Sequence, residues 1–300
     1  MRYPSFTKVL ILFIISIMTA ASFQPQPHPS NAQYAASPSA PPVAGGEIPL
    51  HPLFPPDQQP VYNGVNPNYP GVRMIHNNPP MFAVDNFLTP QECQFLIQAA
   101  DDSWTPAPVV GAGSGQISQA RTSSTCYLAR EDVPDLMRKV SVLTGKPMEH
   151  CELPQVGRYL TSQQYYQHFD AFNLDEEDGQ RFATNGGQRT ITVLIYLNDV
   201  HEGGCTHFPK LHLNVQPQQG MALVFFPATI HGALDRMALH SALPAVDTKY
   251  VSQIWIRQQS YFGQHSKRLC MKMGAELAPG SMIARPPLNI EEVIPSQTNQ

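Results

Sequence analysis

The sequence predicts a mainly β protein with a double-stranded β-helix core, a cupin-like jelly roll, and α-helices packed outside it ahead of most strands. Three observations carry this. Two helical periods occur early, between residues 89 and 145. From Gln155 onward, short runs alternate apolar and polar residues, which is the period of a strand. Turn residues separate those runs, as two stacked antiparallel sheets require.

The chain opens with Arg2 and Lys8, and residues 9–23 are then almost wholly apolar. That run is shorter than the roughly 20 residues a membrane-spanning helix needs. Residues 1–23 are therefore expected to be a signal peptide, with small residues for cleavage around Thr19 to Ser22, or an uncleaved signal anchor. Either form sends the chain into the secretory pathway, with the lumen of the endoplasmic reticulum or Golgi as the expected location. Membrane contact is expected only if the anchor is retained.

Residues 24–80 read as a proline-rich linker, with QPQPHPSNAQYAASPSAPP followed by PLHPLFPPDQQPVYNGVNPNYPGV. The chain has 30 prolines, and this segment holds many of them. Proline and small polar residues without hydrophobic periodicity favour extended, solvated chain.

A folded domain is expected over 81–262. MFAVDNF reads as a strand, and Thr89-Pro90-Gln91-Glu92 as a capping box with proline at the first helical position. Cys93, Leu96, Ile97 and Ala100 continue that helix. A second helix is expected from about Val133 to Leu143, with Gly145 as its stop. ARTSSTCYL, RTITVLIYL, GMALVFF and TKYVSQIWIR read as strands. In RTITVLIYL one face carries Ile191, Val193, Ile195 and Leu197, and the other carries Thr190, Thr192, Leu194 and Tyr196. Residues 263–300 form a C-terminal extension without a fold signal.

A net charge of −4 and the lack of a basic cluster give no reason to expect nucleic-acid binding. The five cysteines are scattered without a C-x-x-C, which argues against a zinc ribbon. In a secreted chain the five cysteines allow one or two bridges with one cysteine left over, in a connectivity the spacing does not fix.

The chemistry centres on VGRYLTSQQYYQHFDAF (156–172). On an extended strand His168 and Asp170 face the same way and Phe169 the other. An imidazole and a carboxylate side by side supply two thirds of a 2-His-1-carboxylate metal site. His201, His207, His212, His231 and His240 are candidates for the third ligand. Lys249 begins the last long strand with Val251, Gln253 and Trp255 on the same face, bringing a cation and an aromatic together; such a cation suits a carboxylate-bearing co-substrate. His150-x-Glu152 is a rival pair.

Residues 81–262 resemble the catalytic domain of collagen-type prolyl 4-hydroxylases, within the Fe(II)/2-oxoglutarate dioxygenases. The resemblance is carried by RYLTSQQYYQHFDAF, RTITVLIYLNDVHEGGCTHFP, VQPQQGMALVFF, DRMALH and TKYVSQIWIR, with RTSSTCYL and TGKPMEHCE upstream. It implies His168, Asp170 and His240 as ligands of Fe(II), and Lys249 as the partner of the 2-oxoglutarate C5 carboxylate. By position, Tyr159, Leu174, Thr192 and Trp255 are implied to line the 2-oxoglutarate pocket, and Tyr165 to lie near the peptide groove. The implied reaction is hydroxylation of peptidyl proline to 4-hydroxyproline, using O2, decarboxylating 2-oxoglutarate to succinate and CO2, with ascorbate as a further cofactor. The implied partner is a proline-containing polypeptide; the oligomeric state is not legible.

The sequence departs from the family pattern at Ser162, where glycine is usual and a reshaped turn is expected. It departs again at Cys205, in place of an acidic residue, and in a shorter interval from His240 to Lys249. Residues 173–187 sit where the family has a mobile loop. Two other readings stand beside the leading one. One is a 2-oxoglutarate oxygenase acting on another residue or a small molecule. The other is a non-catalytic secreted jelly-roll binding module.

Overall fold

The structure is a computed structural model, and it describes residues 57, 59, 61–109 and 116–261. The expected signal segment (1–23), most of residues 24–60 and the C-terminal extension (263–300) lie outside the described residues.

The elements in chain order are β1 (Val72–His76), β2 (Met81–Val84), α1 (Pro90–Ala100), β3 (Thr105–Pro106), β4 (Pro108–Val109) and β5 (Gln116–Ile117). They continue with β6 (Ser124–Tyr127), α2 (Pro134–Thr144), β7 (Gln155–Tyr159), β8 (Tyr165–His168), α3 (Glu177–Ala183) and β9 (Arg189–Tyr196). The last are β10 (Thr206–Phe208), β11 (Leu213–Val215), β12 (Ala222–Phe225), β13 (His240–Ala242) and β14 (Lys249–Arg257). Eight strands form one sheet in the order β1-β2-β12-β9-β14-β7-β6-β3, four form a second in the order β11-β10-β13-β8, and β4-β5 is a separate hairpin. The pairings are antiparallel, as the jelly-roll reading expects.

β9 explains how the layers stack. Ile191, Val193, Ile195 and Leu197 sit in one apolar cluster with Leu96 and Cys93 of α1 and Met137, Val140 and Leu143 of α2. Leu194 and Tyr196, on its other face, join a second cluster with Phe208 of β10, Phe225 of β12 and Val251 of β14. Every residue of β9 is buried, since helices cover one side and the small sheet the other. Burying each such aliphatic side chain stabilises the fold by about 1.5–3 kcal/mol.

The helices start and stop for local reasons. Thr89 Oγ1 accepts from Glu92 N, and Glu92 Oε2 accepts from Thr89 N at 2.8 Å, closing the capping box. Glu92 also accepts from Lys139 Nζ of α2 at 2.8 Å, tying the two helices together. α2 ends where Gly145 takes φ 65, a left-handed conformation that glycine adopts without a Cβ penalty.

Residues 61–80 correct the linker boundary. Val72–His76 pairs with β2 as the edge of the large sheet. Upstream of it, Tyr62 packs on Phe226, Asn66 N donates to Leu143 O, and Tyr69 packs on Phe87. The turn at Ser162 is a second correction. It keeps positive φ, at 68°, with Ser162 N donating to Ala245 O at 2.9 Å, so the serine is held in the conformation that a glycine would favour. Cys93, Cys126, Cys151 and Cys205 are free thiols, so no bridge forms among the described residues.

Candidate active site

The two histidines meet because their strands pair. His168 closes β8 and His240 opens β13, and the two are Cα partners across the antiparallel pair. Asp170 lies two residues past His168, buried, while Phe169 between them is exposed. The ligand-capable atoms of His168, Asp170 and His240 all lie within 4.8 Å of one another. His168 Nε2 is 3.8 Å from Asp170 Oδ1, and His240 Nε2 is 3.7 Å from Asp170 Oδ2. Those separations exceed hydrogen-bond range and leave room for an ion between the three groups.

Both rings are turned the right way by the backbone. His168 Nδ1 lies 2.8 Å from Tyr166 O, and His240 Nδ1 lies 3.0 Å from Ala238 O. A carbonyl only accepts, so each Nδ1 carries the proton, and in the neutral ring Nε2 keeps its lone pair for a metal. Burial, and then the neighbouring His240, push His168 down to about 3, so at neutral pH its ring is uncharged. Burial alone would raise the Asp170 carboxyl. The adjacent His240 and His168, with Arg189 and a hydrogen bond from Thr192, outweigh it and hold the group below its ordinary value. Thr192 Oγ1 donates to Asp170 Oδ2 at 2.8 Å.

At the start of β14 lies Lys249, 1 % exposed. Its Nζ donates to Gly204 O at 2.6 Å and sits 5.4 Å from the Tyr159 ring centroid and 5.7 Å from that of Tyr196. No carboxylate pairs with it among the described residues. Burial lowers its pKa to about 8. The Gly203-Gly204 turn that supplies this acceptor packs tightly on the 244–245 segment: Gly203 has φ +70, and a Cβ there would lie 2.4 Å from Pro244 O. Cys205 follows, with Sγ 2.8 Å from Gln216 Oε1.

The structure thus brings His168, Asp170 and His240 together, sets Thr192 behind Asp170, and places Tyr159 beside Lys249; Trp255 stands against Arg189, which also reaches Asp170. Leu174 is not brought in; it stands in a surface loop, 40 % exposed. Tyr165 stacks on His168, with centroids 3.5 Å apart and planes at 15°. His201, His212 and His231 are exposed, and His207 pairs with Asn214. Residues 173–187 contain α3, whose C-terminal turn is held by Arg257 Nη1 donating to Phe182 O at 3.1 Å.

Three cations near the site escaped the sequence reading. Arg189 makes a two-pronged pair with Glu152, Nε to Oε1 at 2.6 Å and Nη2 to Oε2 at 2.7 Å. Arg257 Nε donates to the same Oε1 at 2.6 Å. Glu152 is therefore fully engaged, which removes His150-x-Glu152 as a rival metal pair. Arg189 also donates to Asp170 O at 3.3 Å and lies 4.0 Å from the Trp255 ring centroid. Arg121 lies 4.8 Å from the Tyr165 ring centroid and donates to Gln155 Oε1 at 2.7 Å. The only signal for these roles was an arginine at a strand end, which Arg189 and Arg257 show and Arg121, between β5 and β6, does not.

A jelly roll with two imidazoles and one carboxylate converging on open space defines the non-haem iron oxygenase class. Residues 154–257 match the model of the 2OG-Fe(II) oxygenase superfamily. The chain is similar to Probable prolyl 4-hydroxylase 10 of Arabidopsis thaliana, 35% identical over 215 residues, which cover 63% of this chain and 73% of that protein. It is also similar to a putative prolyl 4-hydroxylase of Acanthamoeba polyphaga mimivirus, 29% identical over 198 residues, covering 65% and 80%. A solved relative is the viral collagen prolyl hydroxylase of Paramecium bursaria Chlorella virus-1, in its 2OG complex. It is 27% identical, covers 59% of this chain and 95% of that one, and has a TM-score of 0.47. The chain belongs to the prolyl 4-hydroxylase family of the 2OG-Fe(II) oxygenases.

Proposed function

We propose that this enzyme hydroxylates proline in a secretory-pathway polypeptide to 4-hydroxyproline, with decarboxylation of 2-oxoglutarate to succinate and CO2. The observation that carries the reading is the pairing of the His168–Asp170–His240 cluster with a buried Lys249 that lacks an acidic partner among the described residues.

The donor set fits Fe(II). Two neutral imidazoles and one ionised carboxylate suit that ion and leave positions for a chelating co-substrate and O2. When bound, the iron would supply the oxidising chemistry that removes a hydrogen from the proline ring and returns a hydroxyl. The chain's own residues do the rest. His168, Asp170 and His240 would hold the metal, and the Thr192 hydroxyl fixes the carboxylate rotamer. Lys249 would bind the far carboxylate of 2-oxoglutarate through a charge-assisted bond. Tyr159 walls that cation on one side. Trp255 Nε1, buried with no hydrogen-bond partner among the described residues, is a further donor for a polar ligand. Tyr165, stacked on His168, would bound the peptide groove. Ascorbate belongs to the same reading as a further cofactor.

The experiment offers poly-proline and collagen-like peptides in parallel to purified protein with Fe(II), 2-oxoglutarate and ascorbate. A gain of one oxygen atom on proline, matched by succinate, supports the reading. Oxygen placed on another residue, or succinate formed without any peptide product, would assign a different substrate. No turnover and no iron binding would leave a jelly-roll binding module. Localisation to the endoplasmic reticulum or Golgi lumen, with or without a retained anchor, is part of the same proposal and is read by fluorescent tagging at the C-terminus.

A further inference from the structure

A short piece of the proline-rich stretch reaches the loop that delivers His240. Ile230 N donates to Val61 O at 3.0 Å, and the Tyr62 ring packs on Phe226. Tyr62 OH donates to Asp235 Oδ2 at 2.8 Å. Asp235 is completely buried and is itself a hub. Its N–H donates to Pro227 O, its Oδ1 accepts from Met237 N at 2.8 Å, and its carbonyl accepts from Ala238 N. The next carbonyl, Ala238 O, accepts from His240 Nδ1. A continuous relay therefore runs from Tyr62 through Asp235 and the 236–238 turn to the ring of His240.

We propose that Tyr62 is a positioning residue for His240, so that the segment 61–66 completes the metal site rather than merely preceding the domain. Two facts support a specific role over general packing. The carboxylate it meets is fully buried, so without the phenol one oxygen loses a donor where water does not freely replace it. Burial and the Asp235 carboxylate also push the Tyr62 hydroxyl far above its ordinary range, so it stays a donor at all physiological pH. The relay then ends on the atom that decides where Nε2 of His240 points.

The metal arm of the test rests on the iron reading above; the second arm does not. Tyr62→Phe removes one oxygen and keeps the ring against Phe226. Tyr69→Phe, in the same stretch but packed on Phe87, is the control. Calorimetric titration of the purified protein with Co(II) should show about tenfold weaker binding in Tyr62→Phe and unchanged binding in Tyr69→Phe. In metal-free protein with labelled histidine, NMR should show the His240 Nδ1–H exchanging about tenfold faster in Tyr62→Phe. Faster exchange with no metal bound by any variant would keep the positioning role and sink the iron reading. Unchanged exchange and unchanged Co(II) affinity, or an equal loss in Tyr69→Phe, would overturn the proposal.

Discussion

Lys249 Nζ and the Gly204 carbonyl oxygen lie 2.6 Å apart, a buried ammonium satisfied by one neutral acceptor and two tyrosine faces. An ammonium desolvated this far favours any ligand that brings a carboxylate to it. Lys249→Ala should weaken 2-oxoglutarate binding about 30- to 150-fold, the equivalent of about 2–3 kcal/mol for a charge-assisted bond. Titration of the metal-loaded protein with 2-oxoglutarate checks this, and a change of less than threefold would place the carboxylate elsewhere.

The same lysine sets a pH dependence. Its pKa in the ligand-free protein is lowered to about 8 by burial, and a bound carboxylate raises it again. Binding therefore takes up a proton above that value. The dissociation constant for 2-oxoglutarate should be flat below about pH 8 and rise about tenfold per unit above it. A profile that stays flat to pH 9.5, about 1.5 units higher, would contradict the assignment.

Thr192 and Asp170 make a second test. Thr192→Val keeps the shape of the side chain and removes the donor to Oδ2. Metal affinity should fall about tenfold with the fold intact, since hydrogen bonds behind a ligand cost roughly that much when lost. Co(II) titration alongside a thermal melt separates the two effects.

Glu152 holds two guanidinium groups in the interior. Glu152→Ala should cost about 3–5 kcal/mol in urea unfolding, because Arg189 and Arg257 are left as uncompensated buried charges. Burial alone would raise the Glu152 carboxyl, but Arg189 and then Arg257 outweigh it and hold it below its ordinary 4.5. The unfolded chain then binds the proton more readily than the folded one. The stability from this cluster is complete above about pH 4.5 and is lost as pH falls through the lower folded value. In Glu152→Ala that acid-limb slope should shrink.

Ser162 sits at φ 68. Ser162→Gly should raise the urea midpoint without altering the slope, a gain of about 0.5–1 kcal/mol as left-handed strain is relieved. A lower midpoint would mean that the serine hydroxyl has a role its backbone conformation does not reveal.

Much of this was legible in the chain, and the reasons differ by element. The capping box at Thr89, the Gly145 stop and the alternation through β9 are local patterns, so they could be read directly. His168 and Asp170 were legible because one strand carries both. His240 was not selected by spacing, because it meets His168 through strand pairing across more than seventy positions; only the family resemblance picked it from five candidates. The Glu152–Arg189–Arg257 cluster draws on separate segments, with a register shift between Ile256 and Arg257 placing Arg257 opposite Arg189, and no sequence period encodes that. Val72–His76 was hidden by composition. It is a five-residue edge strand with mixed burial, flanked by prolines, and only its pairing with β2 gives it away. Leu174 shows the converse, a position carried over by likeness that this loop turns toward solvent.

The position of β1 has a practical consequence for handling the protein. A recombinant fragment begun at residue 81, where the proline content drops, would strip the outer border from the large sheet and leave the backbone of Met81–Val84 open to pairing with a neighbouring molecule. Such a fragment should clump or swap strands, whereas one begun ahead of Val61 should stay monodisperse.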